Sequence, residues 1–127
     1  MNGLVEEWVS KAEADARTAE REALATDEPN WDAVCFHAQQ CIEKYLKGLL
    51  QHQGTDPPRT HDLWRLATLL TRVMPELEQD AEKLEWLSVF AVEFRYPGEE
   101  AGRAEAELAI GIMRRLRPRL REQLGLS

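Results

Sequence analysis

The residues most able to do chemistry fall in one stretch: His37, Gln40, Lys44, Lys47 and Gln51 recur at spacings of three and four. On a helix that spacing places them on one face. An imidazole, two amides and two ammonium groups in a row could hold a phosphate or the edge of a base. The same spacing also fits the solvated back of an amphipathic helix. Phe36 and Leu50, read as lying near this polar side, favour an interface or groove instead. A second set, Arg95-Tyr96-Pro97, puts a guanidinium and an aromatic ring at a helix end, suited to phosphate binding and base stacking. Its ordinary counterpart is a tyrosine packed on the fold beside an arginine paired with a carboxylate. His61 stands next to a helix cap. His37 and Cys41 are four apart, compatible with two metal ligands, but no third ligand accompanies them at motif spacing. No Gly-rich phosphate loop, His-Glu-x-x-His, Cys-x-x-Cys or Gly-x-Ser-x-Gly is present, so neither a metal nor a cofactor is expected.

Helices must position these groups. From about Leu4 to Ala25, Val5, Trp8, Val9, Ala12, Ala16, Ala19 and Ala23 form one apolar stripe whose alanines predict a close helix contact. A polar break at Thr26–Asn30 contains Pro29, and Asn30 can cap the next helix. From Trp31 to Gln53, the residues Val34, Ala38, Cys41, Ile42, Tyr45, Leu46, Leu49 and Leu50 make a broad apolar arc, which marks this helix as the centre of the core. Pro57 and Pro58 forbid helix in the turn that follows, and Thr60 is the expected cap of a shorter third helix through about Val73. Pro75 opens a fourth helix with a stripe of Leu77, Leu84, Leu87, Ala91 and Phe94, ended by Arg95-Tyr96-Pro97-Gly98. The fifth runs from about Glu99 to Arg117 or beyond, with Leu108, Ile112, Leu116 and Leu120 as its stripe and Pro118 interrupting its last turns. The expected fold is all-α: an up-and-down antiparallel bundle of four long helices plus a shorter one, as a single domain over 1–127.

The totals agree. At 127 residues, 43% hydrophobic and 31% charged, the chain can build one core flanked by solvated helix faces. No apolar run approaches a membrane span and the first residues lead straight into charge, which predicts a cytoplasmic protein. Cys35 and Cys41 point in different directions from one helix and are expected to be small packing residues rather than disulfide partners. A net charge of -7 disfavours nonspecific nucleic-acid binding. Its distribution is uneven: Arg114, Arg115, Arg117, Arg119 and Arg121 against Glu122 give the tail +4, leaving 11 basic and 22 acidic residues, or -11, for positions 1 to 113. Such a tail either binds phosphate or pairs with another part of the same surface. Trp8, Trp31, Trp64 and Trp86 are expected as core and interface anchors.

Cys35-Phe36-His37-Ala38-Gln39-Gln40 continuing to Glu43-Lys44-Tyr45-Leu46-Lys47, then Thr60-His61-Asp62-Leu63, then Arg95-Tyr96-Pro97, taken in this order, resemble a HEPN domain. The resemblance implies a helical bundle that commonly dimerises, and a small prokaryotic protein often encoded beside a minimal nucleotidyltransferase as a toxin-antitoxin pair. Many members are metal-independent ribonucleases marked by an arginine followed after four to six residues by a histidine. Here the only histidines are His37, His52 and His61, and none follows an arginine at that distance. The resemblance therefore implies a non-catalytic homodimeric module that binds a nucleotide, an RNA or a partner nucleotidyltransferase. His37, Gln40, Lys44, Lys47, His61, Arg95 and Tyr96 are its candidate binding residues. The alternative is a ribonuclease whose site is rebuilt from His37 or His61 with Arg95.

Overall fold

The computed structural model describes residues 2–93 and 95–127. Its elements are α1 (Gly3–Ala23), α2 (Trp31–His52), α3 (Leu63–Thr68), α4 (Ala81–Ser88) and α5 (Arg103–Gln123), with a 3-10 turn at Pro75–Asp80 running directly into α4. Among the described residues there is no strand. The all-α antiparallel bundle is therefore the architecture; with its 3-10 turn counted, the α4 segment joins α1, α2 and α5 as the long members. No helix among the described residues is long and apolar enough to cross a membrane.

α2 is the axis of the fold. Its whole predicted apolar arc is buried, and Gln39, Glu43, Lys47 and Gly48 are buried as well. It packs mainly on α1 and α5. The alanine stripe of α1 lets the α1 and α2 backbones approach: Val5, Ala12, Ala16 and Ala19 are all buried. Asn30 caps α2 as expected, its side-chain oxygen accepting from the Ala33 N–H at 3.1 Å.

Other boundaries moved, each for a local reason. Asp62 rather than Thr60 caps α3, its carboxylate accepting from the Arg65 N–H. α3 stops at Thr68 because the chain tightens to three-residue hydrogen bonds at Leu69, Leu70 and Val73. α4 ends at Ser88 instead of reaching Phe94, which lies outside the described residues. The Ser88 hydroxyl bonds the Leu84 carbonyl and accepts from the Leu63 N–H, tying the helix end to α3. Phe90, not Ala91, carries the apolar contact beyond it. α5 begins at Arg103, where the Glu105 carboxylate reaches back to the Gly102 N–H at 2.7 Å.

The stripe expected on α5 is wrong at Leu108, which is 48% exposed. Four-residue steps drift about 40° per step around a helix, so a stripe through Leu108, Ile112, Leu116 and Leu120 slides off the buried face. Ala109, Met113 and Leu116 lie nearer its centre. Pro118 does not end α5. It sits on the exposed side, while Leu116 and Leu120 hold the helix on the core.

Candidate functional site

The polar stripe of α2 is gathered around two carboxylates, and spacing alone had marked neither of them. The first is Asp15 on α1, buried among the alanines of its stripe. His37 Nδ1 lies 2.7 Å from one of its oxygens and Lys44 Nζ 2.5 Å from the other. Phe36 packs edge-on against the His37 ring, at 5.0 Å between centroids. The second is Glu43, on α2 itself and 4% exposed. Lys47 Nζ donates to it at 3.0 Å, Gln39 Nε2 at 3.0 Å and Gln40 Nε2 at 3.5 Å, while His61 Nδ1 stands 2.9 Å away. Gln39 also donates to the His61 carbonyl, and Gln40 to the Gln39 side chain, so the segment before α3 is fastened to α2.

These contacts correct two parts of the sequence reading. The stripe is not the solvated back of the helix: Lys47 is 8% exposed, and α1 covers the His37 and Lys44 end. Leu50 does not lie on the polar side but belongs to the core. Charge compensation explains the burial, since an ammonium leaves water at tolerable cost only beside a carboxylate that also bonds it.

Arg95 and Tyr96 lie elsewhere, on the connector between α4 and α5. Arg95 donates to the Val89 carbonyl at 3.2 Å and stacks 4.8 Å over the Phe90 ring. Its charge is felt at Cys35, near the start of α2. Tyr96 is largely exposed. The connector is pinned to α2 by the Ala101 N–H, which donates to Asp32 at 2.7 Å. Five of the seven candidate residues thus gather on α2 and its flank, and two sit on a separate segment.

The arginine-rich tail pairs with its own chain. Arg114 bonds Glu20 through both ends of its fork at 2.7 Å, Arg117 bonds Glu13 at 2.5 and 2.6 Å, Arg115 pairs with the buried Asp80, and Arg121 reaches Glu13 and the Tyr45 hydroxyl. Tyr45 donates to Glu13 in turn. The Arg117 guanidinium holds the Glu13 carboxyl below its ordinary range, and burial pushes the Tyr45 phenol up. Burial likewise pushes the Cys35 thiol up to about 12 and the Cys41 thiol higher still; both are free cysteines with no thiolate character. Among the described residues no three His, Cys, Asp or Glu side chains gather to hold a metal ion.

Asp15 and Glu43 did leave a signal in the sequence. Asp15 falls inside the Ala12, Ala16, Ala19 stripe and Glu43 beside the α2 arc, and an acid on an apolar face requires a donor from a neighbouring element.

The same arrangement of helices occurs in solved structures. TT1696 from Thermus thermophilus superposes with a TM-score of 0.78 at 25% identity, over 94% of this chain and 97% of that one. ST0689, an archaeal HEPN homologue, superposes with a TM-score of 0.70 at 27% identity, over 94% and 96%. No curated protein matches the sequence. The HEPN domain pattern matches residues 5–123, nearly the whole chain and including every candidate residue. The chain belongs to the HEPN domain family.

Proposed function

We propose that this HEPN protein is a non-catalytic binding module: a homodimer that docks a partner nucleotidyltransferase on the α2 stripe, as one half of a toxin-antitoxin-type pair. The observation that carries the reading is the neutralisation of the stripe. His37 and Lys44 share Asp15, and His61 and Lys47 share Glu43. Cations already bonded to buried carboxylates have little attraction left for a phosphate, so the surface suits a protein better than a nucleotide. Catalysis is disfavoured by the missing arginine-to-histidine spacing and by the engagement of Arg95 with Val89 and Phe90. The test is co-purification with the nucleotidyltransferase encoded beside the gene. Retention by the native protein and release by Lys44→Glu are expected; an adjacent nucleotidyltransferase that never co-purifies ends the reading.

One observation favours a ribonuclease instead. The His61 side chain is 67% exposed while Glu43 grips its Nδ1, the way a carboxylate orients a histidine for acid-base work. RNA cleavage by the native protein that disappears in His61→Ala would establish this second reading, and an inert native protein removes it.

A further inference from the structure

The outer face of α3 and of the turns that continue it combines unpaired charge with uncovered apolar surface. We propose that it is a docking groove for a short acidic peptide segment of another protein, in which an apolar side chain is flanked by carboxylates. The groove shares no residue with the α2 docking surface and does not depend on it.

From Leu63 to Met74 the chain keeps helical or three-residue hydrogen bonds, first in α3 and then through Leu69, Leu70 and Val73. Leu63, Leu66, Ala67, Leu70 and Met74 recur at helical spacing and all turn into the core. The opposite side of such a segment should carry only polar groups. Instead Leu69 is 52% exposed and Val73 38%. Beside them a cavity of about 430 Å³ opens between these turns and the end of α2, lined by Gln53, Thr55, Leu69, Leu70, Arg72 and Val73. That volume is within the range of ligand pockets, roughly 300 to 1,000 Å³.

Two arginines frame this apolar pair, Arg65 one turn before Leu69 and Arg72 between Leu69 and Val73. Both are exposed, and neither guanidinium forms an ion pair or hydrogen bond among the described residues. The acids that bound the segment do not claim them: the Asp62 carboxylate accepts from the Arg65 backbone N–H at 3.2 Å, and among the described residues Glu76 and Glu78 pair with neither. The threonine hydroxyls of the segment are already engaged, Thr68 with the Arg65 carbonyl at 2.6 Å and Thr71 with the Thr68 carbonyl at 3.2 Å. The face therefore offers two guanidinium forks and an apolar cavity. An apolar side chain between carboxylates complements that pattern, since each fork can take a carboxylate with two parallel bonds while the apolar group enters the cavity over Leu69 and Val73. A flat bilayer would leave the cavity empty, and no aromatic ring lines it to receive a base.

Fluorescence anisotropy with the full chain and a labelled peptide of alternating glutamate and leucine tests the proposal. Micromolar binding is expected, with a lysine–leucine peptide and an all-glutamate peptide weaker by about tenfold or more. Arg65→Glu combined with Arg72→Glu should weaken the glutamate–leucine peptide by about tenfold or more and take up the lysine–leucine peptide instead. Its thermal midpoint should stay in place, because neither guanidinium bonds anything in the fold. No binding at millimolar peptide, equal binding of the lysine–leucine peptide by the native chain, or equal binding of the glutamate–leucine peptide by the double variant would each overturn the proposal. Binding to phosphatidylglycerol vesicles that the double variant loses, with no peptide bound, would overturn it as well and assign the face to a membrane. Lys44→Glu is expected to leave peptide binding unchanged, so failure here and failure of partner docking are read separately.

Discussion

Glu13 and Asp15 stand two residues apart on α1 and face different helices. Glu13 turns mainly to α5, where it takes both ends of the Arg117 fork and Arg121, and it also accepts from the Tyr45 hydroxyl of α2. Asp15 turns to α2, where it takes His37 and Lys44. Guanidinium groups are charged at every accessible pH and bond a carboxylate in a fixed plane, so the α1–α5 seam is a permanent staple. An imidazole and an ammonium lack that fixed fork and make a looser pair. The two seams teach that similar acids on one helix can serve different ends: the first holds the frame, and the second shapes a surface.

Breaking the staple should have the largest effect. Glu13→Ala leaves Arg117 and the Tyr45 hydroxyl without their acceptor, and is expected to cost about 3 kcal/mol in urea unfolding. A loss below about 1 kcal/mol would mean that water replaces the carboxylate and the seams are alike. The staple also has a pH signature. Arg117 at Glu13 and Arg114 at Glu20 hold both carboxyls below their usual 4.5. Their contribution is therefore complete above that unfolded-state value and is lost as pH falls through the lower folded-state values. Thermal midpoints followed from neutrality into acid should show this loss, and Glu13→Gln should flatten the acid limb; an unchanged limb would remove Glu13 from the account.

The α2 seam should give way more gently. Asp15→Ala unpairs Lys44 and His37, which are both partly open to water, and is expected to cost about 1 to 2 kcal/mol by the same urea measurement. A cost equal to that of Glu13→Ala would erase the contrast. The smallest effect belongs to the outer pair of the staple: Glu20→Ala, at an exposed contact with Arg114, should cost under about 1 kcal/mol and lose even that at high salt. A larger, salt-resistant loss would extend the rigid seam along the whole of α1.

Much of the frame was legible because periodicity reports burial directly. The α2 arc and Ala12, Ala16 and Ala19 of α1 are apolar at helical spacing, and each is buried as that spacing required, while Ala23 at the end of the stripe is half-buried. Leu108 shows the limit: a stripe read at uniform four-residue steps drifts, and only the neighbouring helices fix which face turns inward. The end of α4 was hidden for a similar reason. Its apolar residues continue past Ser88, but the Ser88 hydroxyl is drawn to Leu63, a partner on another element that no local pattern announces.

For the candidate site the sequence by itself determined which donors share a face of α2, because helical geometry is local, and through its motifs it determined the family. Which acids receive those donors was decided only by the tertiary structure. Asp15 lies 22 residues from His37 along the chain, and Glu13 lies 104 residues from Arg117. The positive tail was plain in the sequence, yet whether it faced solvent or its own chain depended on α5 lying beside α1. Burial and pairing are properties of neighbours in space, so the charge of a residue is written in the sequence and its availability is not.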